Sequence, residues 1–580
     1  MPVQVLRLIE PQENIEQLKA QLKAELDECE EVNSTHRNRL LEFMVENEIW
    51  HIDELDYFSR QKYEEYLDGR LSDGAKKSYV RGHDKVKLHT IKSKVQLVVS
   101  GQSATPPYKN IFLYLPYHPN PEIAERFKTS QCFQDLVWDF RKNAPEKLKR
   151  QIYDCLHYAI ENDRCAETFR VNLIGIQQLY TFCIEENIDD IEKIELSQAD
   201  KFAESDNERL DRVKKNRVIN NCRKAIFMLH EEINWKANVW YMERIRIQPD
   251  RLDVANPITA LSFLEVSHRK NRELLKQYMK YGIGITNLSM GALRAELITV
   301  RGFLSEIHQS DDEDICAITT EQMDAYFRVE RERPVQAETF NKKVMGILHF
   351  FNFLRVRQYI EYIPFDEEKY LKKTHQRHHD RSVSQEVADE ILAKLHLFPE
   401  ELRLMYLHLY GIGLRIGEVC RLKGNAYYIQ GRDAWIQVYQ TKMRNYKRIP
   451  IPEALYKLMK VYIKKYEIKA DEYLFKNRQG GAYRSSTFRM QMIKQCERNS
   501  IQNGEYAFKS HDYRHTIATY FYDTGVSLQS VRDYLGHDYE EMTQQYVDYM
   551  PKKIDKANEE LFSQHSLASC LQKGVNKNGK

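Results

Sequence analysis

The stretch SHDYRHTIAT, residues 510–519, is the centre of the chemically informative part of this sequence. It places His511 and Arg514 three positions apart, so both side chains would lie on one face of a helix. An arginine donates fork-shaped hydrogen bonds to anionic oxygens, and a histidine beside it can accept or return a proton. The pair therefore suits chemistry at a phosphate group. Taken alone it is ambiguous, because one histidine or arginine on a helix is more often structural.

Two further signals lie upstream of this stretch. GIGLRIGEVCRL, residues 411–422, places Arg415 after a glycine-flanked helix end and Glu418 one turn later. QTKMRNYKRIPI, residues 440–451, places Lys442 at the turn of a predicted hairpin. The glycines of the first stretch do not have the spacing of a dinucleotide-binding loop, and no Lys-Ser/Thr pair follows them. We therefore reject a nucleotide site there.

The fourth signal is LGHDYEEMTQQY, residues 535–546, in which His537 lies nine residues before Tyr546. The chain has 36 tyrosines, so Tyr546 alone carries little weight. Together the four signals supply two arginines, a lysine, two histidines and a tyrosine. Such a set can transfer a phosphoryl group without a metal. The arginines stabilise the charge on the phosphate, the tyrosine is the nucleophile, and the lysine and histidines move protons or bind oxygens.

This set, in this order, resembles the catalytic domain of the tyrosine recombinases, the phage integrase family, over about residues 385–550. GLRIGE resembles the first arginine motif, TKMRNYKR the hairpin that holds the family's lysine, and HDYRHTIAT the H-x-x-R-H box. LGHDYEEMTQQY resembles the final box, whose spacing selects Tyr546 over its neighbours Tyr539 and Tyr549. The resemblance implies the catalytic residues Arg415, Lys442, His511, Arg514, His537 and Tyr546, the last as nucleophile, with Glu418 in support.

Two departures from the family pattern bear on these assignments. The hairpin turn usually contains glycines, whereas this chain has Thr-Lys-Met-Arg-Asn, so Arg444 and Lys447 remain alternatives to Lys442. The H-x-x-R box has Asp512 and Tyr513 at its centre, which we expect to affect packing and not function. All six catalytic positions are filled, and this predicts an active enzyme that needs no cofactor.

The bulk composition limits the class of protein. At 580 residues, the chain is long enough for three to five domains, and 42% apolar with 30% charged residues is ordinary for a soluble globular protein. The net charge is only +2, so a DNA-binding surface must come from local segregation of charge. The 10 cysteines have no zinc-ligand spacing, and neither a signal peptide nor a membrane span is apparent. These features predict a cytoplasmic bacterial protein that joins the nucleoid when bound to DNA.

The predicted fold is mainly α. Several N-terminal helical bundles, of the SAM-like core-binding type, precede an α-rich catalytic domain with a small antiparallel sheet at residues 433–440 and 446–452. The predicted divisions are a helical domain (1–100), a Pro-rich linker (101–125), a second helical domain (126–255), a core-binding DNA clamp domain (260–370), a basic linker (371–384), the catalytic domain (385–550) and a C-terminal helix and tail (551–580).

A weak internal repeat supports this division. Segments that begin at Phe43, Phe182 and Phe303 each run from an aromatic-led helix end through acidic residues into a new helix. Ser197 and Thr319 are predicted to cap two of those helices. The third copy resembles the core-binding domain of tyrosine recombinases, and the first two are interpreted as further copies. The alternative is that unrelated four-helix modules share a generic apolar spacing.

The basic linker predicts contact with DNA phosphates, which would make the affinity salt-dependent. A solvated, flexible link is the alternative, and the linker's histidines, His375, His378 and His379, are less suggestive of a metal than of a polar connection. Basic clusters at residues 76–87 and 212–224 fit additional contacts. The candidate DNA-binding residues are Lys369, Lys372, Lys373, Arg377, Arg381, Lys342 and Lys343.

The resemblance implies a recombinase or transposase that integrates and excises a mobile element. Its partners would be double-stranded DNA at specific sites, further copies of itself in a synaptic tetramer, and co-encoded recombinase or directionality proteins. The C-terminal helix would pack either on a neighbouring subunit or on the subunit to which it belongs. Two alternatives remain: a DNA-relaxing enzyme of the type IB topoisomerase kind, and a DNA-binding accessory protein with this fold.

Overall fold

The computed structural model describes residues 12–97, 112–127, 136–162, 165–205, 209–307, 313–374 and 381–536. The chain divides into two compact units, Met1–Trp240 and Tyr241–Lys580. Helices dominate both units and the sheets are small, which confirms the predicted fold class. Within the described ranges, no helix is long and apolar enough to cross a membrane. Eight cysteines lie in these ranges; all are free thiols and six are buried, as expected for small apolar side chains.

The first unit begins with a four-helix module packed around its own apolar core. Its centre includes the fully buried Leu55, Tyr63 and Leu67. A single 3-10 turn, Ile52–Glu54, lies between the second and third helices. The helices are α1 (Gln12–Asp27), α2 (Ser34–Glu46), α3 (Tyr57–Leu67) and α4 (Asp73–Leu97).

The rest of the first unit is a second four-helix module, preceded by a short two-stranded sheet with one further short helix between its strands. Residues 112–125 fall within the predicted linker but are folded, because Leu113 and Leu115 are buried in the core of this module. Leu113 pairs with Trp138 across the antiparallel sheet. The elements are β1 (Phe112–Tyr114), α5 (Pro121–Phe127), β2 (Val137–Asp139), α6 (Glu146–Asn162), α7 (Ala166–Glu185), α8 (Leu196–Glu204) and α9 (Arg212–Leu229), with a 3-10 turn at Ile191–Lys193 between α7 and α8.

A strand, β3 (Val239–Tyr241), lies at the division between the units. The second unit then opens with β4 (Ala260–Ser262) and a third four-helix module. Its 3-10 turn is Ile315–Ala317. The helices are α10 (Arg269–Gly284), α11 (Met290–Glu306), α12 (Thr320–Glu332) and α13 (Ala337–Val356).

The three modules share an internal anchor as well as an element order. In each, the first residue of the 3-10 turn is a buried isoleucine whose backbone N–H donates to a polar side chain on the first helix of the module. The pairs are Ile52 to Glu25 Oε2 at 3.1 Å, Ile191 to Gln151 Oε1 at 2.9 Å, and Ile315 to Asn271 Oδ1 at 2.7 Å. The same hydrogen bond at the same place three times is hard to attribute to generic apolar spacing, so it supports the proposed triplication.

The sequence after each turn also repeats. Three residues on, an apolar side chain is buried, and one residue later the next helix is capped; the capping residues are Asp56, Glu195 and Thr319. Thr319 is therefore confirmed as a cap, with Gln322 completing its capping box. The prediction for Ser197 is wrong: the helix begins at Leu196, and the Glu195 N–H donates to the Gln198 side chain at 2.9 Å.

The last part of the second unit is a helical region around a three-stranded antiparallel sheet of order β5-β6-β7. The two predicted strands are confirmed as β6 (Asp433–Gln440) and β7 (Asn445–Pro450). The sequence analysis missed β5 (Tyr427–Gln430), which joins β6 through two residues at Gly431, where φ is +65°. The helices are α14 (Gln385–Lys394), α15 (Glu400–Ile412), α16 (Ile416–Cys420), α17 (Glu453–Lys465), α18 (Ser485–Arg498), α19 (Asp512–Asp523) and α20 (Leu528–Leu535).

Candidate active site

Glu418, on α16, is the buried centre of a charged cluster. Its Oε2 accepts from the Arg415 backbone N–H at 3.0 Å, and its Oε1 accepts from Arg415 Nη1 at 3.1 Å. Lys447 Nζ lies 3.4 Å from Glu418 Oε2. Burial raises the pKa of Glu418, but the positive charges of Lys447, Arg514 and Arg415 outweigh it and lower the pKa overall. The carboxylate thus holds a full negative charge that orients the first arginine.

Arg514, on α19, is the second arginine and is only 1% exposed. Its Nη1 donates to the Gly413 carbonyl at 3.0 Å, and its Nη2 donates to the Leu535 carbonyl at 2.6 Å. Gly413 ends α15 in the left-handed region with φ +64°, which turns the chain so that its carbonyl meets this guanidinium. The two predicted arginines therefore converge from α16 and α19 on one cluster.

His511 immediately precedes α19 and lies beside the same cluster. Burial, followed by the nearby His515, Arg514, Arg415 and Arg381, lowers the pKa of His511 to about 4. The imidazole is consequently neutral near pH 7. A neutral histidine can accept a proton, which is what the predicted role requires.

The predicted hairpin is present, but it separates the two lysines. Gln440 pairs with Asn445, so residues 441–444 form the turn and Lys442 lies exposed at its tip. Lys447 is on the inward face of β7, 8% exposed, and also donates to the Leu535 carbonyl at 3.2 Å. Of the alternatives left open by the sequence, Lys447 is the one that the structure brings beside Glu418 and the arginines.

Arg444, the other alternative, is engaged elsewhere. It has a left-handed backbone with φ +52°, which closes the hairpin turn. Its Nη1 donates to Asn287 Oδ1 at 2.7 Å, its Nη2 donates to the Asn287 carbonyl, and Asp250 Oδ2 lies 3.3 Å away. Arg444 therefore ties the hairpin tip to the loop that follows α10.

The end of α20 is held against the hairpin. Gly536 closes the helix with φ +70°, and its carbonyl accepts from Gln440 Nε2 at 3.1 Å. A Cβ at this position would approach the Gln440 amide nitrogen to 2.2 Å, so any other residue would displace this amide and would also be strained at this positive φ. The next residue in the sequence is His537. Both His537 and Tyr546 lie outside the described residues.

The candidate DNA-contact residues differ in the exposure of their side chains. Lys372 Nζ donates to the Arg331 carbonyl at 2.9 Å and lies over the Phe340 ring. Lys343 Nζ donates to Glu330 Oε2 at 2.6 Å. The side chains of Lys342, Lys369, Lys373 and Arg381 are exposed, and Arg377 lies outside the described residues.

Several cations of the two N-terminal basic clusters serve the fold of their own unit. Lys85 and Lys87 donate to the carbonyls of Glu31 and Asp53, at 2.8 Å and 3.0 Å. Lys215 is 1% exposed and donates to the Ser205 carbonyl at 2.6 Å, and buried Arg223 donates to the Ile194 carbonyl at 2.6 Å. Sequence alone could not distinguish these structural cations from surface ones. Within the described ranges, no three carboxylate, imidazole or thiol groups are grouped where a metal ion could bind.

Comparison with known proteins identifies the region that holds this cluster. The sequence profile of the phage integrase family matches residues 381–553. This part of the chain belongs to the phage integrase family. It is a tyrosine recombinase domain, and the matched range includes Arg415, Glu418, His511 and Arg514 as well as the undescribed Tyr546.

Relatives in sequence include a transposase and a recombinase. The chain is 24% identical over 322 residues to Transposase B from transposon Tn554 of Staphylococcus aureus (strain N315), covering 54% of this chain and 51% of the transposase. It is 26% identical over 208 residues to tyrosine recombinase XerA of Thermococcus onnurineus (strain NA1), covering 35% of this chain and 71% of XerA. The chain thus spans about half the length of the first of these relatives.

Similar solved structures include two recombinases bound to DNA. One is XerH site-specific recombinase bound to palindromic difH substrate, at 16% identity and a TM-score of 0.39, covering 53% of this chain and 92% of that one. The other is the Tn1549 transposon integrase in complex with a circular intermediate DNA, at 16% identity and a TM-score of 0.39, covering 50% of this chain and 98% of that one.

Proposed function

We propose that this protein is a site-specific DNA recombinase or transposase that cuts and rejoins DNA through a 3′-phosphotyrosyl intermediate formed on Tyr546. The observation that carries the proposal is the convergence of two arginines near buried Glu418: Arg415 is hydrogen-bonded to it, and the charge of Arg514 lowers the pKa of this carboxyl. The neutral His511 lies beside them. This arrangement lies in a tyrosine recombinase domain. Two fixed guanidinium groups that face a phosphate can stabilise the charge that develops on its nonbridging oxygens.

Each strand cut is a transesterification. The Tyr546 phenol oxygen attacks phosphorus and its proton passes to His511, while the bond from phosphorus to the 5′ oxygen breaks. Lys442 donates the proton that makes the departing 5′ hydroxyl, and His537 donates a hydrogen bond to a phosphate oxygen. The new tyrosyl ester conserves the energy of the phosphodiester, so the reverse attack by a 5′ hydroxyl of another strand rejoins DNA without ATP.

The role in moving an element rests on the sequence relatives. Transposase B of Tn554 matches this chain over a range longer than the catalytic domain alone, which supports transposition or integration over the resolution of chromosome dimers. The exposed Lys342, Lys369, Lys373 and Arg381 are proposed to contact phosphates of a specific double-stranded site. Self-association into a tetramer on two such duplexes would complete one exchange.

The test is covalent trapping on nicked suicide duplexes, tiled across the DNA that borders the gene on both sides. Once the short 5′ fragment leaves, religation is impossible and the protein remains attached to DNA. We expect the wild-type chain to form a band stable in detergent, and Tyr546→Phe to form none because it lacks the nucleophilic oxygen.

Tyr549→Phe is the matched control, since it removes a neighbouring phenol and should still form the band. Trapping by Tyr546→Phe, or its loss in Tyr549→Phe alone, would show that the nucleophile is assigned to the wrong residue. No trapping by the wild-type chain on any duplex would contradict the proposed function itself.

A further inference from the structure

Lys447 is a buried lysine to which the proposed chemistry assigns no role. It lies in β7 at a position whose neighbours on the same face, Ile449 and Ile451, are buried and apolar. Its ammonium group faces Glu418 on α16, Arg415 before α16 and Arg514 on α19. Burying a charge is costly unless it is paired, and an apolar residue would suit this face of the strand better. A lysine here therefore needs an explanation beyond packing.

The contacts of the ammonium group give that explanation. Nζ lies 3.4 Å from Glu418 Oε2 and donates to the Leu535 carbonyl at 3.2 Å. Glu418 holds Arg415 through two hydrogen bonds, and the Leu535 carbonyl also accepts from Arg514. The Lys447 ammonium thus connects Glu418, which holds Arg415, to the Leu535 carbonyl, which holds Arg514.

The second anchor also fixes the chain at the point where it leaves α20. Leu535 is the last residue of that helix and lies two positions before His537 in the sequence. Gln440, from β6 of the same hairpin, holds the adjacent Gly536 carbonyl. The hairpin therefore donates hydrogen bonds to the carbonyls of Leu535 and Gly536, the two residues that precede His537.

We propose that Lys447 is a positioning residue that locks Arg415, Arg514 and the exit from α20 into one frame for cleavage. The inference rests on the proposed function and deepens it. Lys447 does not deliver a proton to the leaving group: its ammonium is directed at two protein oxygens, whereas Lys442 is exposed at the hairpin tip. Without the ammonium, Glu418 keeps its two hydrogen bonds to Arg415, but the direct link from Glu418 to the Leu535 carbonyl through Lys447 is lost.

The experiment measures single-turnover cleavage by the full-length chain on the nicked duplex that the wild type traps, at saturating DNA. For Lys447→Met, we expect the rate to fall about 10- to 100-fold, as for a loss of transition-state contacts, while the DNA dissociation constant changes less than about threefold. Lys447→Arg should recover to within about tenfold of wild type, because it restores a cation that can reach both oxygens.

A substrate with sulfur in place of the bridging 5′ oxygen separates positioning from proton donation. A thiolate leaves without protonation, since a thiol has a pKa of about 8.5. This substrate should restore Lys442→Ala and leave the deficit of Lys447→Met unchanged.

The outcomes are distinct. Cleavage by Lys447→Met at the wild-type rate overturns the role of Lys447 and leaves the proposed function intact. Rescue of Lys447→Met by the sulfur substrate shows that Lys447 is the proton donor and also overturns it. A wild-type chain that traps no DNA contradicts the proposed function from which this inference starts.

Discussion

His408 is a fully buried histidine in α15, and both of its ring nitrogens have partners. Nδ1 lies 2.6 Å from the Leu404 carbonyl and Nε2 lies 2.5 Å from the Tyr427 hydroxyl. Because a carbonyl only accepts, Nδ1 carries the proton and Nε2 accepts from the tyrosine in the neutral ring. Burial lowers the pKa of His408 from 6.5 to about 4. The catalytic domain is therefore built around a histidine that must stay uncharged.

This arrangement predicts acid lability. The unfolded chain takes up a proton on His408 as the pH falls through about 6.5, whereas the folded chain resists until about pH 4. The stabilisation is complete above pH 6.5 and is lost between the two values, by up to roughly 3 kcal/mol. His408→Gln retains a donor and an acceptor but does not titrate, so its free energy of unfolding should fall less over that range. Urea unfolding at pH 7 and pH 4.5 measures this, and parallel losses in both proteins would refute it.

At the active site, the motifs predicted which kinds of residue form the cluster, but they did not decide which lysine lies in it. The motifs correctly implied that four residues come together: Arg415, Glu418, His511 and Arg514. Each motif lies at the start of a helix, α16 or α19, and the two helix starts meet in one cluster. Lys447 was left as an alternative, although strand alternation put it on the same inward face as Ile449. Its charge obscured that signal, since a buried lysine departs from the apolar pattern from which strand faces are predicted.

At the level of elements, the repeated modules depend on a polar anchor that no apolar pattern reveals. The anchor differs in burial among the three: Asn271 is 0% exposed and Gln151 3%, whereas the Glu25 side chain is 24% exposed. Without the anchor, the N–H of the 3-10 turn loses its partner. Water can replace the partner only where the site is open.

Leucine substitution at the three anchors should therefore give graded losses. We expect Asn271→Leu and Gln151→Leu to cost roughly 1–3 kcal/mol of unfolding free energy, the penalty for a buried unsatisfied N–H. Glu25→Leu should cost less than either, because its site reaches solvent. Chemical denaturation of the full chain, followed by a probe in each unit, measures the three. Equal losses would show that the anchors do not act through burial.

The same elements show where sequence prediction ends. The cap at Thr319 and the strands β6 and β7 follow directly from capping and alternation signals. The folding of residues 112–125 did not, because their prolines indicate a linker and only contacts distant in sequence, such as Leu113 with Trp138, order them. The polar anchors of the three modules were not predicted for the same reason, since each one contacts a 3-10 turn that is distant in sequence.

Over the whole second unit, a strap of residues 249–256 joins the third module to the catalytic domain independently of the basic linker. Arg251 donates to the carbonyls of Gly282, Ile283 and Leu288 at 2.7–3.0 Å, and so caps the end of α10. Four residues later, Ala255 is buried in the catalytic core, and its carbonyl accepts from the Ser485 N–H at 3.1 Å. The two halves of the unit thus have a non-covalent connection in addition to the chain itself.

Loss of the Arg251 cap should therefore destabilise the third module and also loosen its connection to the catalytic domain. Arg251→Met leaves the Gly282 and Ile283 carbonyls of the last turn of α10, and the Leu288 carbonyl of the following loop, without their charged donor. We expect a loss of roughly 2–4 kcal/mol of unfolding free energy, together with faster proteolysis in the basic linker, residues 371–384. Arg246→Met, at an exposed position nearby, is the matched control and should change neither. If Arg251→Met destabilised the third module but left linker proteolysis at the wild-type rate, the strap would be a local cap and not a connection between the halves. In the proposed function, DNA lies between the clamp and catalytic domains. The rate of DNA cleavage by Arg251→Met therefore measures whether the connection between these domains is needed for them to close on DNA.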